Sequence, residues 1–143
     1  MSLHDPVSQA IREARTIAVV GLSSNPARPS HGVARYLQHQ GYRIVPINPR
    51  ETTVLGEPAF ADLLQARTIV GPIDIVDVFR RGQHVPAIAA EAQRIGARML
   101  WLQEGVSNPE AEAQARAAGM LVVSDRCLLK AHVKLTNAPE GTR

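Results

Sequence analysis

The chain has one cysteine, Cys127, among its 143 residues, so no disulfide can staple it internally. That suits a reducing, cytoplasmic setting. Aromatic residues make up only 3%. The core must therefore be assembled from Val, Ile, Leu and Ala, which favours close packing of helices on a sheet. No apolar run approaches the roughly 18 residues of a membrane span, so no membrane partner is expected. The opening stretch MSLHDPVSQAIREAR also lacks the uninterrupted apolar segment of a signal peptide. Charge of one sign is not concentrated: 16 Lys and Arg are scattered against 13 Asp and Glu, for a net charge of +3. Without a basic stripe, nucleic acid is not an expected partner, while a small anionic ligand is permitted.

What is present is a globular chain, 45% hydrophobic and of the usual size for one domain. Residues 1–135 read as that domain and the polar stretch TNAPEGTR, 136–143, as a frayed tail. Asp5-Pro6 opens a helix, with Asp as N-cap and Pro in the first turn. Thr16 to Val20 is a continuous apolar run and reads as a buried strand. Further strands are expected at 42–47, 75–79, 99–102 and 121–123, with a short extended piece at 53–56. Helices are expected after residue 30, over 60–64, through Val85 to Ile95, from Asn108-Pro109, and from near Asp125. Ala111, Ala115 and Ala118 are taken as the inner face of the helix after Pro109. Strands alternating with helices imply a parallel sheet covered on both faces. The fold class is therefore α/β, a Rossmann-like doubly wound, mostly parallel five-stranded sheet.

In such sheets the ligand sits beyond the carboxyl ends of the strands, where the strand order reverses. Here that edge carries residues 21–30, Asn48-Pro49, Phe79-Arg80 and 103–105. The loop 21–32, GLSSNPARPSHG, consists almost wholly of turn formers and ends at a helix start with Ser30 as expected N-cap. A helix start presents free N–H groups and a positive dipole end to a phosphate. Ser23, Ser24 and Asn25 can donate, and the fork of Arg28 can pair with a phosphate. The loop is not a G-x-G-x-x-G fingerprint, since the glycine after Gly21 is Gly32, and no Gly-Lys-Ser/Thr makes it a Walker A loop. The second strand ends in Asn48-Pro49-Arg50, without the acidic residue that binds ribose hydroxyls. Plain NAD binding loses ground by this, and a cofactor richer in phosphate gains.

The stretches at 19–49, 73–81 (IDIVDVFRR), 99–123 and 124–127 (SDRC) together resemble the small CoA-binding protein family. That family is similar to the CoA-binding N-terminal domain of the succinyl-CoA synthetase alpha subunit. The combination N-P-x-R-P-S-x-G, V-x-x-Y-L and I-N-P, within 25–49, carries the resemblance. It implies that coenzyme A or an acyl-CoA is the cofactor. It places the loop contacts on Gly21, Ser23, Asn25, Arg28 and Ser30, the segment after the second strand on Asn48, Pro49 and Arg50, and the segment after the third on Phe79 and Arg80. The chemistry of the synthetases' second domain, with its phosphorylated histidine, is not expected of this sequence. A protein partner would be a second copy of the chain or an enzyme of acyl-CoA metabolism. Two other readings stay open: an NADP- or NAD-binding redox enzyme or sensor, with Arg50 on a ribose phosphate, and a stand-alone subunit of an acyl-CoA ligase.

No catalytic set emerges. His4, His31, His39, His84 and His132 form no ligand pair, so no metal is expected. Asp74 and Asp77 flank the third strand and point to opposite faces rather than pairing. Glu104 is read as a base or a loop acceptor. Cys127 is read as an inert thiol, against a reactive one lowered by Arg126 and a helix start.

Overall fold

The short apolar runs become the strands of one parallel sheet. The computed structural model describes residues 5–137. In chain order its elements are α1 (Pro6–Glu13), β1 (Thr16–Val20), α2 (Pro29–His39), β2 (Arg43–Ile47), β3 (Thr53–Val54), β4 (Glu57–Pro58), α3 (Leu63–Val70), β5 (Ile75–Val78), α4 (Val85–Arg94), β6 (Met99–Leu102), α5 (Pro109–Ala117), β7 (Leu121–Val123) and α6 (Leu128–Thr136). The main sheet runs β2-β1-β5-β6-β7, and every neighbouring pair is parallel. The fold is α/β and Rossmann-like, as expected. The chain leaves β1 toward one side to make β2 and returns to the other side to make β5. The order therefore reverses between β1 and β5, which is the switch point of a doubly wound sheet.

β1 and β6 are buried on both faces, which is why they read as unbroken apolar runs. Ile17, Val19, Ile75, Met99 and Trp101 face α1, α2 and α6, packing against Ile11, Leu37 and Leu128. Ala18, Val20, Val76, Val78, Leu100 and Leu102 face α3, α4 and α5, which offer Leu63, Ala66, Ala89, Ala92, Ala111 and Ala115. The alanine surfaces let the helices approach the sheet closely, so few aromatics are needed. Among the described residues no helix is long and apolar enough to cross a membrane.

Local chemistry sets most boundaries. Asp5 caps α1 by accepting from the Ser8 N–H at 2.8 Å, and Asn108 caps α5 by accepting from the Ala111 N–H at 3.1 Å. The extended piece near residue 54 is a two-stranded hairpin, β3 with β4, turning through Leu55 and Gly56 at φ 55 and 78. Three expectations are corrected. The helix placed over 60–64 begins at Leu63, because Asp62 accepts from the Gln65 N–H and caps it there; Phe60 is instead bridged to Ile47. The last helix starts at Leu128, since Asp125 has φ 55 and uses its carboxylate on the Gly105 N–H. Ala118 is the exposed C-cap of α5, not part of its inner face. Of the tail 136–143, residues 138–143 lie outside the described residues.

Asp77 does not flank its strand; it is the third residue of β5, between Val19 of β1 and Trp101 of β6. It is 0% exposed, and neither carboxylate oxygen has a hydrogen-bond partner. Burial without a counter-charge holds its pKa well above the usual carboxylate range. The folded state therefore keeps a proton that the unfolded chain releases near pH 3.9. Stability is fully present below that pH and is lost as pH rises toward the folded-state value. We expect Asp77→Asn to remove this loss. In denaturant titrations from pH 4 upward, the variant should gain on the parent by up to about 1.4 kcal/mol per pH unit until Asp77 ionises in the native state. A constant offset across pH would show that Asp77 is not held protonated.

Candidate functional site

At the switch point the main chains of β1 and β5 meet. The Phe79 N–H donates to the Val20 carbonyl, and the Gly21 N–H to the Ile47 carbonyl, each at 2.8 Å. Gly21 has φ 87, and a Cβ there would lie 2.9 Å from the Phe79 carbonyl oxygen and 3.1 Å from Cδ of Arg80. Only glycine meets both conditions.

Beyond Gly21 the loop is pinned to the segment after β2. Asn48 donates through Nδ2 to the Leu22 carbonyl at 3.0 Å and accepts from the Arg50 N–H at 3.0 Å. Glu51 accepts from the Ser24 N–H at 2.7 Å. The loop also folds on itself. The Ser23 N–H donates to Ser30 Oγ, the Asn25 N–H to Ser23 Oγ, and the Ala27 N–H to Asn25 Oδ1. These bonds commit the backbone N–H groups of residues 23–25 to the protein. Ser30 is not the N-cap of α2. Arg28 holds that position and Pro29, with its preset φ, takes the first turn, so the helix begins two residues earlier. No side chain caps α2.

On the other side of the switch point, Arg80 and Arg81 follow β5. Gly82 comes next, packed so tightly under the Ser107 carbonyl that no Cβ fits. Asn108 donates to the Gly82 carbonyl at 3.1 Å, tying the arginine pair to the start of α5. Beyond β6, Glu104 is bound to Lys130 at 2.9 Å.

These loops enclose a cleft of about 1010 Å³. That is the upper end of the range for small-molecule sites and suits a long ligand. Of the sequence-derived residues, Gly21, Ser23, Arg28, Ser30, Asn48, Pro49, Arg50, Phe79 and Arg80 line it. Asn25 does not; it shapes the turn beside it. Asn48 lines the cleft, but its amide is engaged in joining the two loops. Arg81, His84, Glu51 and Gln103 also line it and were not singled out as ligand contacts. The doubled arginine at the end of a strand was a readable signal; Glu51 and His84 carried none. Arg28, Arg50, Arg80 and Arg81 have no ion pair among the described residues. The cleft is thus a rigid frame lined with uncommitted guanidinium groups, suited to an anion with several charges. Among the described residues no group of His, Cys, Asp and Glu could hold a metal ion.

Fold and cleft together define a Rossmann-like α/β domain with its cleft at a doubly wound switch point. The CoA binding domain family matches residues 15–133, and the chain belongs to that family. It is 40% identical over 126 residues to the uncharacterized protein YneT of Bacillus subtilis (strain 168), covering 88% of this chain and 91% of that one. Among solved structures it resembles cell-free ID.343 from Thermus thermophilus, with a TM-score of 0.84 and 40% identity over 90% of this chain and 96% of that one. A hypothetical protein from Pyrococcus horikoshii OT3 gives a TM-score of 0.86 at 30% identity, covering 92% of this chain and 90% of that one.

Gly21→Ala should cost more than Gly41→Ala. Both positions have positive φ, but only Gly21 has atoms within 4 Å of where a Cβ would stand. Left-handed backbone alone costs about 1–2 kcal/mol. Denaturant melts should show a larger loss at Gly21, and equal losses would contradict the close approach.

Proposed function

We propose that this chain binds coenzyme A or an acyl-CoA in the switch-point cleft and acts as a cytoplasmic binding module. The observation that carries the proposal is the convergence of Arg28, Arg50, Arg80 and Arg81, none of them ion-paired among the described residues, on one cleft. Coenzyme A carries a diphosphate and a ribose phosphate, and guanidinium forks match phosphate oxygens. Membership of the CoA binding domain family supports the choice among phosphate-rich cofactors. Gly21 would let the ligand approach the main chain, and Ser23 and Ser30 would present hydroxyls at its edge. Phe79 would offer an apolar surface.

A module rather than an enzyme is favoured by the state of the cleft's acids. Glu104 is neutralised by Lys130, and Glu51 is held by the Ser24 N–H. The NADP reading has Arg50 in its favour, but the loop after β1 lacks the second glycine of a dinucleotide fingerprint.

Calorimetry with CoA should show saturable binding that weakens with added salt, because the attraction is ionic. Arg28→Ala and Arg80→Ala should each weaken binding by about tenfold or more, the value of one charge-assisted hydrogen bond. At 100 times its Kd, CoA should stabilise the parent by about 2.7 kcal/mol. Mass spectrometry of small molecules released from the denatured protein gives an independent check. Finding NADP there, or equal CoA affinity in parent and arginine variants, would overturn the assignment.

A further inference from the structure

The cleft distributes its charge unevenly. Arg28 and Arg50 stand on the loops after β1 and β2, and Arg80 and Arg81 on the loop after β5. Past β6 the amine nearest the edge, Lys130, is occupied by Glu104. What β6 delivers to the cleft is an amide. Gln103 directly follows the strand, is 4% exposed and lines the cleft.

The orientation of this amide is fixed. Its Oε1 accepts from the N–H of Leu128, the first residue of α6, at 3.0 Å. A backbone N–H only donates, so the oxygen must be the end that meets it, and the NH2 group is the other end. The backbone of Gln103 is also engaged: its N–H donates to the Val78 carbonyl and its carbonyl accepts from the Val106 N–H. Nε2 alone has no protein acceptor among the described residues. Among the described residues the only sealed side-chain atoms without a partner are the two oxygens of Asp77, so Nε2 is not closed off, and the residue that carries it lines the cleft. A nearly buried amide, held at one end and offering two N–H donors at the other, is a built feature. Leaving such donors without an acceptor is unfavourable.

Neutral donors suit neutral acceptors. We propose that Gln103 is a specificity-determining residue for the uncharged arm of the ligand, with Nε2 donating to a carbonyl oxygen while the arginines hold the phosphates. This rests on the CoA reading above. Coenzyme A carries two amide carbonyls in that arm, and an acyl-CoA adds a thioester carbonyl.

Three probes separate the terms: CoA, acetyl-CoA and adenosine 3′,5′-bisphosphate, which keeps phosphates but has no carbonyl. Gln103→Met should weaken CoA and acetyl-CoA about tenfold and leave the bisphosphate within about twofold. Equal losses for CoA and acetyl-CoA place the contact on an amide, and a loss confined to acetyl-CoA places it on the thioester. Gln103→Glu keeps an oxygen for the Leu128 N–H and replaces the donor with an acceptor. It should therefore fold and still lose the same ligands, which separates recognition from support of α6. The proposal is overturned if Gln103→Met weakens the bisphosphate as much as CoA, or if it weakens none of the three. If the parent protein binds none of them, the CoA reading falls and takes this assignment with it. If the parent binds and both variants match it, only the Gln103 assignment falls.

Discussion

The cleft depends on one close approach: the main chain of β1 passing under the carbonyl of Phe79 at Gly21. Two parallel strands of a twisted sheet end side by side there, and their chains must then part in opposite directions. A Cβ at 2.9 Å from the Phe79 oxygen would push them apart at the point where they have to touch. With glycine in place, the β1 loop turns toward β2 and the β5 loop toward α5, and the space between them is the cleft. The parting of the two loops, and with it the position of the cleft, depends on this contact.

Much of this was legible in the sequence. Unbroken runs such as TIAVV and MLWL can only be strands buried on both faces. Caps written in Asp5 and Asn108 fixed two helix starts through local hydrogen bonds. Less legible was anything decided at a distance. Ser30 has the chemistry of an N-cap, but its hydroxyl is drawn to the Ser23 N–H and Pro29 starts the helix earlier. Asn48 has the look of a ligand contact, yet its amide joins two loops that are 26 residues apart. Asp77 sits within an apolar run and offers no local sign that neighbouring strands will seal it. Gln103 shows its role only once α6 is seen to begin against its oxygen.

The layer under α1, α2 and α6 excludes charge. Asp77 alternates with Ile75 on that face of β5 and is held protonated by burial. His132 on α6 is buried there, bonded to the Tyr36 hydroxyl at 2.7 Å, and burial lowers its pKa. Tyr42, against the same ring, is pushed up to about 12 by burial and by Tyr36. The buried carboxyl and the buried imidazole pull in opposite directions. The unfolded chain protonates His132 as pH falls below about 6.5 and ionises Asp77 as pH rises above about 3.9, while the folded layer resists both changes. Each change places a charge where no counter-charge is available, so both disfavour the fold, from opposite sides.

The cleft divides its labour differently from a glycine-rich phosphate loop. In such loops the backbone N–H groups cradle the ligand. Here residues 23–25 turn theirs inward, to Ser30, Glu51 and Ser23. That makes the loop stiff before any ligand arrives, so little ordering cost remains to be met on binding. The attraction is left to side chains, and arginine is the residue whose planar fork gains most from a fixed base. On the proposed reading, a frame held by its own backbone, with cations past β1, β2 and β5 and a single oriented amide past β6, selects a ligand by its layout. Charge must come at one end and a neutral hydrogen-bond acceptor at the other. A free phosphate offers only the first of these, whereas a charged head joined to a long amide-bearing arm offers both.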